Sequence, residues 1–147
     1  MKKQPSPDTA PSRSVNLLSV SPAADDHISL EHIVARPEWT TYSDSKWRLH
    51  WSTSLTSALT VLRQGRTPIV ICERDLPGSS WRDLLEQSAA LPEPPYVIVA
   101  SRRADDHLWA EALNLGAYDV LARPFDAAEV LRTVSMAWQH WQERYAA

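Results

Sequence analysis

The sequence predicts an α/β fold, a doubly wound parallel sheet with helices on both faces, and three observations carry that expectation. Short apolar runs alternate with helix-period segments from about Val15 onward. The connections between them are too short for anything but right-handed crossovers, which place consecutive strands parallel. The length of 147 residues, 44% of them hydrophobic, suits one domain with a single core.

Taken in order, residues 1–14 carry Pro, Ser and charge with too little apolar material to offset ordering entropy, and are predicted to be a disordered tail. The domain is expected over 15–142, with 143–147 as the C-terminal end of the last helix. The first strand is predicted at 15–20 and the first helix at 26–35. Residues 36–46, with a proline, several hydroxyls and two aromatics, read as a long loop. A second strand at 47–51 and a helix at 55–63 follow. The third strand, 69–72, ends at Glu73 and precedes a Pro77-Gly78 turn. A helix at 80–90, a strand at 96–99 and a helix at 105–115 come next, with Gly116 supplying a left-handed cap. The last strand is expected at 118–122 and the last helix at 126–144, capped by Asp126 after Pro124. The total is five strands and five helices.

Composition excludes several functions. A net charge of −3, from 15 Lys+Arg against 18 Asp+Glu, leaves no basic block that could track nucleic-acid phosphates. The single cysteine, Cys72, lies in an apolar run and allows no internal disulfide, which suits a reducing compartment. No run approaches the roughly 18 apolar residues of a membrane span, and the N-terminal residues lack a secretory pattern, so a cytoplasmic location is expected. The only glycines, Gly65, Gly78 and Gly116, form no phosphate-cradling loop, and no serine sits in a nucleophile elbow.

In an open parallel sheet the functional crevice lies beyond the carboxyl ends of the strands, where the strand order reverses. Ser19, Val20 and Ser21, then Glu73, then Ala100 and Ser101, then Arg123 fall at those ends. The run Ile69-Val70-Ile71-Cys72-Glu73-Arg74-Asp75-Leu76-Pro77-Gly78, together with Leu115-Gly116-Ala117-Tyr118-Asp119-Val120-Leu121-Ala122-Arg123-Pro124-Phe125, resembles the response-regulator receiver family of bacterial two-component signalling. The similarity extends from about Val15 to Trp141. It implies a flavodoxin-like five-stranded sheet of order 2-1-3-4-5. It also implies phosphate transfer from a histidine kinase onto an aspartate at position 73, with magnesium held by an acidic pair after the first strand.

The chain departs from that pattern at each chemical position. Ser19, Val20 and Ser21 stand where the acidic pair belongs, and such groups cannot replace the hard anionic oxygens magnesium prefers, so magnesium is expected to be lost. Glu73 replaces the acceptor, Ala100 the hydroxyl, Val120 the aromatic switch and Arg123 the lysine. The extra methylene moves the Glu73 carboxylate roughly 1.5 Å outward. There the planar fork of Arg123 can meet it, fixing one conformation without phosphate. The expectation is therefore a non-catalytic pseudo-receiver that binds a histidine kinase or another regulator. Two alternatives remain: Asp75 as an acceptor in another register, or a small-anion site built from Ser19, Ser21, Ser101 and Arg123.

Two Asp-Asp-His triplets, Asp25-Asp26-His27 and Asp105-Asp106-His107, sit at predicted helix starts. Adjacent helical residues diverge by about 100°, so each triplet reads as capping rather than as a metal site. Asp25 and Asp26 could alternatively serve as a displaced acidic pair, but at a helix start capping and the macrodipole already explain them. Seven tryptophans are many for this length. Along the last helix Val134, Trp138, Trp141 and Tyr145 recur at helical spacing, either to cover the sheet or to form a docking patch. The resemblance implies partner contacts through helix four, strand five and helix five. On this chain that face includes Trp109, Leu113, Val120, Arg132 and Trp138, and a homodimer through it is conceivable.

Overall fold

The computed structural model describes residues 14–37 and 46–145. The tail through residue 13, most of the 36–46 loop and the last two residues lie outside the described residues. The elements run β1 (Ser14–Val20), α1 (Ala24–Val34), β2 (Lys46–Ser52), α2 (Leu55–Gln64), β3 (Ile69–Glu73), β4 (Asp75–Leu76), β5 (Ser79–Ser80), α3 (Trp81–Ser88), β6 (Tyr96–Ser101), α4 (Asp106–Leu115), β7 (Asp119–Ala122) and α5 (Ala127–Tyr145). Five strands pair in parallel in the order β2-β1-β3-β6-β7. Counting main-sheet strands alone, this is 2-1-3-4-5, the flavodoxin-like topology.

Both faces of the sheet are covered, so the central strands read as continuous apolar runs rather than as alternating ones. All five residues of β3 are buried. Alternation along the strands divides them between two cores. Leu17, Ile69, Ile71, Ile98 and Leu121 pack with Leu30 and Ile33 of α1 and with Val130, Val134 and Ala137 of α5. On the other face Leu18, Val70, Cys72, Val97 and Val99 pack with Leu59 and Leu62 of α2, Trp81 and Leu84 of α3, and Leu108 and Ala112 of α4. The edge strand β2 exposes Lys46, Arg48 and His50, charges and polar groups that discourage edge-to-edge pairing.

Local chemistry sets the boundaries. Reciprocal capping boxes start α2 (Ser54 with Ser57) and α3 (Ser80 with Asp83). Asp105 accepts from the Leu108 amide at 2.9 Å to open α4, and Asp126 accepts from the Glu129 amide at 2.9 Å to open α5. Gly116 closes α4 at φ 102°, the left-handed region expected of it. No atom lies within 4 Å of a Cβ built there, so Gly116→Ala should cost backbone strain alone. The expected loss is about 1–2 kcal/mol in urea unfolding.

One pairing was not anticipated. The Pro77-Gly78 turn closes a two-stranded antiparallel ribbon, β4 with β5, in which Asp75 faces Ser80 and Leu76 faces Ser79. Proline pre-sets the turn and Gly78 takes φ 68°, so two residues suffice to reverse the chain.

Candidate functional site

The carboxyl ends of β1, β3, β6 and β7 converge as the sheet order requires. Val20 is level with Cys72, Glu73 with Ala100, and Ser101 with Ala122. Backbone bonds fix the residues just past the strands: Arg74 N donates to Ala100 O at 2.9 Å, and Arg123 N to Ser101 O at 3.0 Å. Glu73 and Arg123 therefore leave neighbouring regions of one crevice, with β6 between their strands.

Their side chains meet, and a third group joins them. Arg123 Nη2 forms an ion pair with Glu73 Oε1, not aligned as a hydrogen bond. Arg123 Nη1 donates to Asp26 Oδ1 at 2.6 Å. The second oxygen of each carboxylate is held by a neutral donor. Ser21 Oγ donates to Asp26 Oδ2 at 2.6 Å, and the Arg74 amide donates to Glu73 Oε2 at 2.7 Å. The three charged side chains are 10–14% exposed. Two carboxylates thus share one guanidinium in a nearly dry pocket, with one negative charge in excess.

Asp26 was expected to cap α1, and it does not. The helix begins after Ala23 with no side-chain cap, and Asp26 lies in its first turn, 8% exposed, facing inward to Arg123. A carboxylate there still benefits from the positive end of the helix dipole. His27 is likewise buried, at 0% exposure, rather than part of a cap. Its Nε2 lies 2.9 Å from the Ser21 carbonyl and its Nδ1 2.8 Å from Ser19 Oγ. A carbonyl can only accept, so Nε2 donates to it, and Nδ1 pairs with the Ser19 hydroxyl. The Trp51 ring stacks on the imidazole at 4.8 Å and 18°. Ser19 and His27 have nucleophile-to-base spacing, but at 2% and 0% exposure no substrate reaches them.

The other expected pocket residues are placed as follows. Val20 and Ala100 are core, at 0% and 2% exposure. Ser101 is buried and its hydroxyl accepts from the Arg103 amide at 3.0 Å. Val120, at 5% exposure, packs in the core and offers no surface to a partner. Asp75 is exposed on β4, where it pairs with Arg74 at 3.1 Å instead of bonding its own backbone. For an anion site, Ser19 and Ser21 are committed to His27 and Asp26, and Arg123 to two carboxylates. A polar cleft of about 280 Å3 beside Asp75 is bordered by Arg74 and Arg82, but these too are paired, with Asp75 and Glu111.

Electrostatics make Glu73 the unusual acid of the set. Burial pushes its carboxyl above the ordinary glutamate value and the Asp26 charge adds to this, while Arg123 and the Arg74 amide oppose it. An acid raised on folding contributes stability that is complete below the ordinary pKa of about 4.3 and is lost as the pH rises through the folded value. Glu73→Gln should therefore gain stability relative to the parent as pH rises through that window. Urea unfolding at a series of pH values checks the sign.

The sequence profile of the response regulator receiver domain matches residues 24–135. The chain belongs to that family. Solved receiver structures agree in fold. The signal receiver domain of an HD domain-containing protein from Pseudomonas fluorescens Pf-5 superposes at TM-score 0.69 with 24% identity, over 89% of this chain and 99% of that one. A CheY-like response regulator receiver domain protein from Methanospirillum hungatei JF-1 gives 0.73 with 15% identity, over 88% and 98%. A two-component response regulator from Clostridium difficile gives 0.71 with 14% identity, over 85% and 96%. No curated protein matches the chain. As a receiver domain it is a signalling module of two-component systems, a class that works by contact with proteins such as kinases and other regulators. None of its described helices is long and apolar enough to cross a membrane.

Proposed function

We propose that this receiver domain is a phosphorylation-independent interaction module, held in one state by its own buried charges and acting in the cytoplasm without catalysis or magnesium. One observation carries the reading: the guanidinium of Arg123 sits between Glu73 and Asp26. A phosphoryl group on Glu73 would have to displace that guanidinium from a carboxylate it already neutralises. The Glu73 carboxylate supplies one negative charge where a phosphate supplies about 1.5–2, so it holds a state without reproducing a phosphate in full.

Output then depends on partner binding rather than on phosphate level. The surface of α4 offers Trp109 and Leu113, four residues apart on one face and 42% and 45% exposed, and α5 adds the exposed Arg132. A kinase, another regulator or a second copy of the chain are the partners this face suits. Incubation with acetyl phosphate and magnesium, followed by intact-mass measurement, tests the reading. The expected result is an unmodified chain; a phosphoryl adduct on Glu73 or Asp75 would overturn it.

A further inference from the structure

We infer that Arg123 is the resident cation of this pocket, a tethered substitute for a divalent ion, and that Asp26 is the carboxylate that makes the substitution work. The inference rests on the reading of the crevice as fixed without phosphate, and it adds what fixes it. Asp26 reaches the pocket from α1 and Glu73 from β3, each 8% exposed. Each turns one oxygen to the guanidinium and the other to a neutral donor, Ser21 Oγ or the Arg74 amide. Two carboxylate oxygens from separate elements thus converge on one positive group.

The side chains present do not fit magnesium alongside that group. The hydroxyls of Ser19 and Ser21 are occupied, Val20 is apolar and buried, and both carboxylates are already neutralised in part by Arg123. A divalent ion entering this nearly dry space would meet a like charge at close range. Without the guanidinium the same two oxygens face a gap carrying two negative charges. Two carboxylate oxygens completed by water are a donor set that magnesium accepts. Asp26 and Glu73 therefore form a cation site whose cation is part of the chain, and the native pocket is indifferent to magnesium concentration.

The test is a thermal-shift titration of the full chain with magnesium or manganese chloride at matched ionic strength. The parent is expected to show no saturable change. Arg123→Gln should gain a saturable rise of several degrees, as a ligand bound by the folded state alone requires, and Asp26→Asn in that background should remove most of it. If Arg123→Gln is unfolded in EDTA, recovery of its far-ultraviolet circular dichroism by magnesium supports the inference, and failure to recover overturns it. A folded Arg123→Gln indifferent to metal, or a parent that responds as strongly as the variant, overturns it as well. A phosphoryl adduct on the parent would instead remove the fixed-state reading, so the two failures are distinguishable.

Discussion

Arg123→Ala, in buffer free of divalent cations, is expected to lower the unfolding free energy by about 3–5 kcal/mol, the cost of removing one partner from a buried ion pair. The substitution leaves Asp26 and Glu73 facing each other, both nearly out of water and each without the guanidinium that pairs with it. Removing either acid is less severe. Asp26→Asn leaves a one-to-one pair between Arg123 and Glu73, and Glu73→Gln leaves one between Arg123 and Asp26. The effects are therefore not additive, since all three groups share one network. Urea unfolding of the three variants and of the doubly substituted Asp26→Asn, Arg123→Ala chain gives the coupling directly. A loss below about 1 kcal/mol for Arg123→Ala is what an exposed pair gives. That result would mean the triad is solvated, and with it would go the argument that the pocket holds one state.

The difference between what was legible in the sequence and what was not follows from range. The central strands were visible because both sheet faces are covered, so β3 and β6 are apolar almost throughout. Gly116 and Asp126 were visible because a cap is chemistry within a few residues. The Glu73–Arg123 contact could be expected, since the sheet order brings both residues to one crevice. Asp26 could not. An aspartate near a helix start gives the same local pattern whether it caps its own backbone or turns inward, and its partner Arg123 lies 97 residues away. A hint against the cap was the poor capping position before it, alanine at both 23 and 24. Ser19 was assigned to the crevice because it ends a strand. The period of two instead puts it on the face of Leu17, beneath α1, where His27 takes its hydroxyl.

Tryptophan shows the same division between cover and contact, and Trp141→Ala is the second large effect expected, a loss of about 3–5 kcal/mol. Trp141 is 1% exposed and its indole donates to the Pro94 carbonyl at 3.1 Å. Trp138 stacks on it at 6.0 Å and 19°, and the Arg66 guanidinium lies 4.9 Å from its ring centroid. Trp138 in turn meets Trp47 edge-on at 6.2 Å. The aromatic stripe of α5 is therefore mainly cover over the sheet edge, and Trp138, placed by sequence on the partner face, is half-buried in it. Trp109 has the opposite setting, 42% exposed on α4 beside Leu113. Trp109→Ala should leave stability within about 0.5 kcal/mol of the parent and instead weaken whatever association uses α4, which sedimentation across a concentration series would read. If Trp109→Ala cost as much stability as Trp141→Ala, its ring would be core, and the exposed face of α4 would lose its claim to a partner.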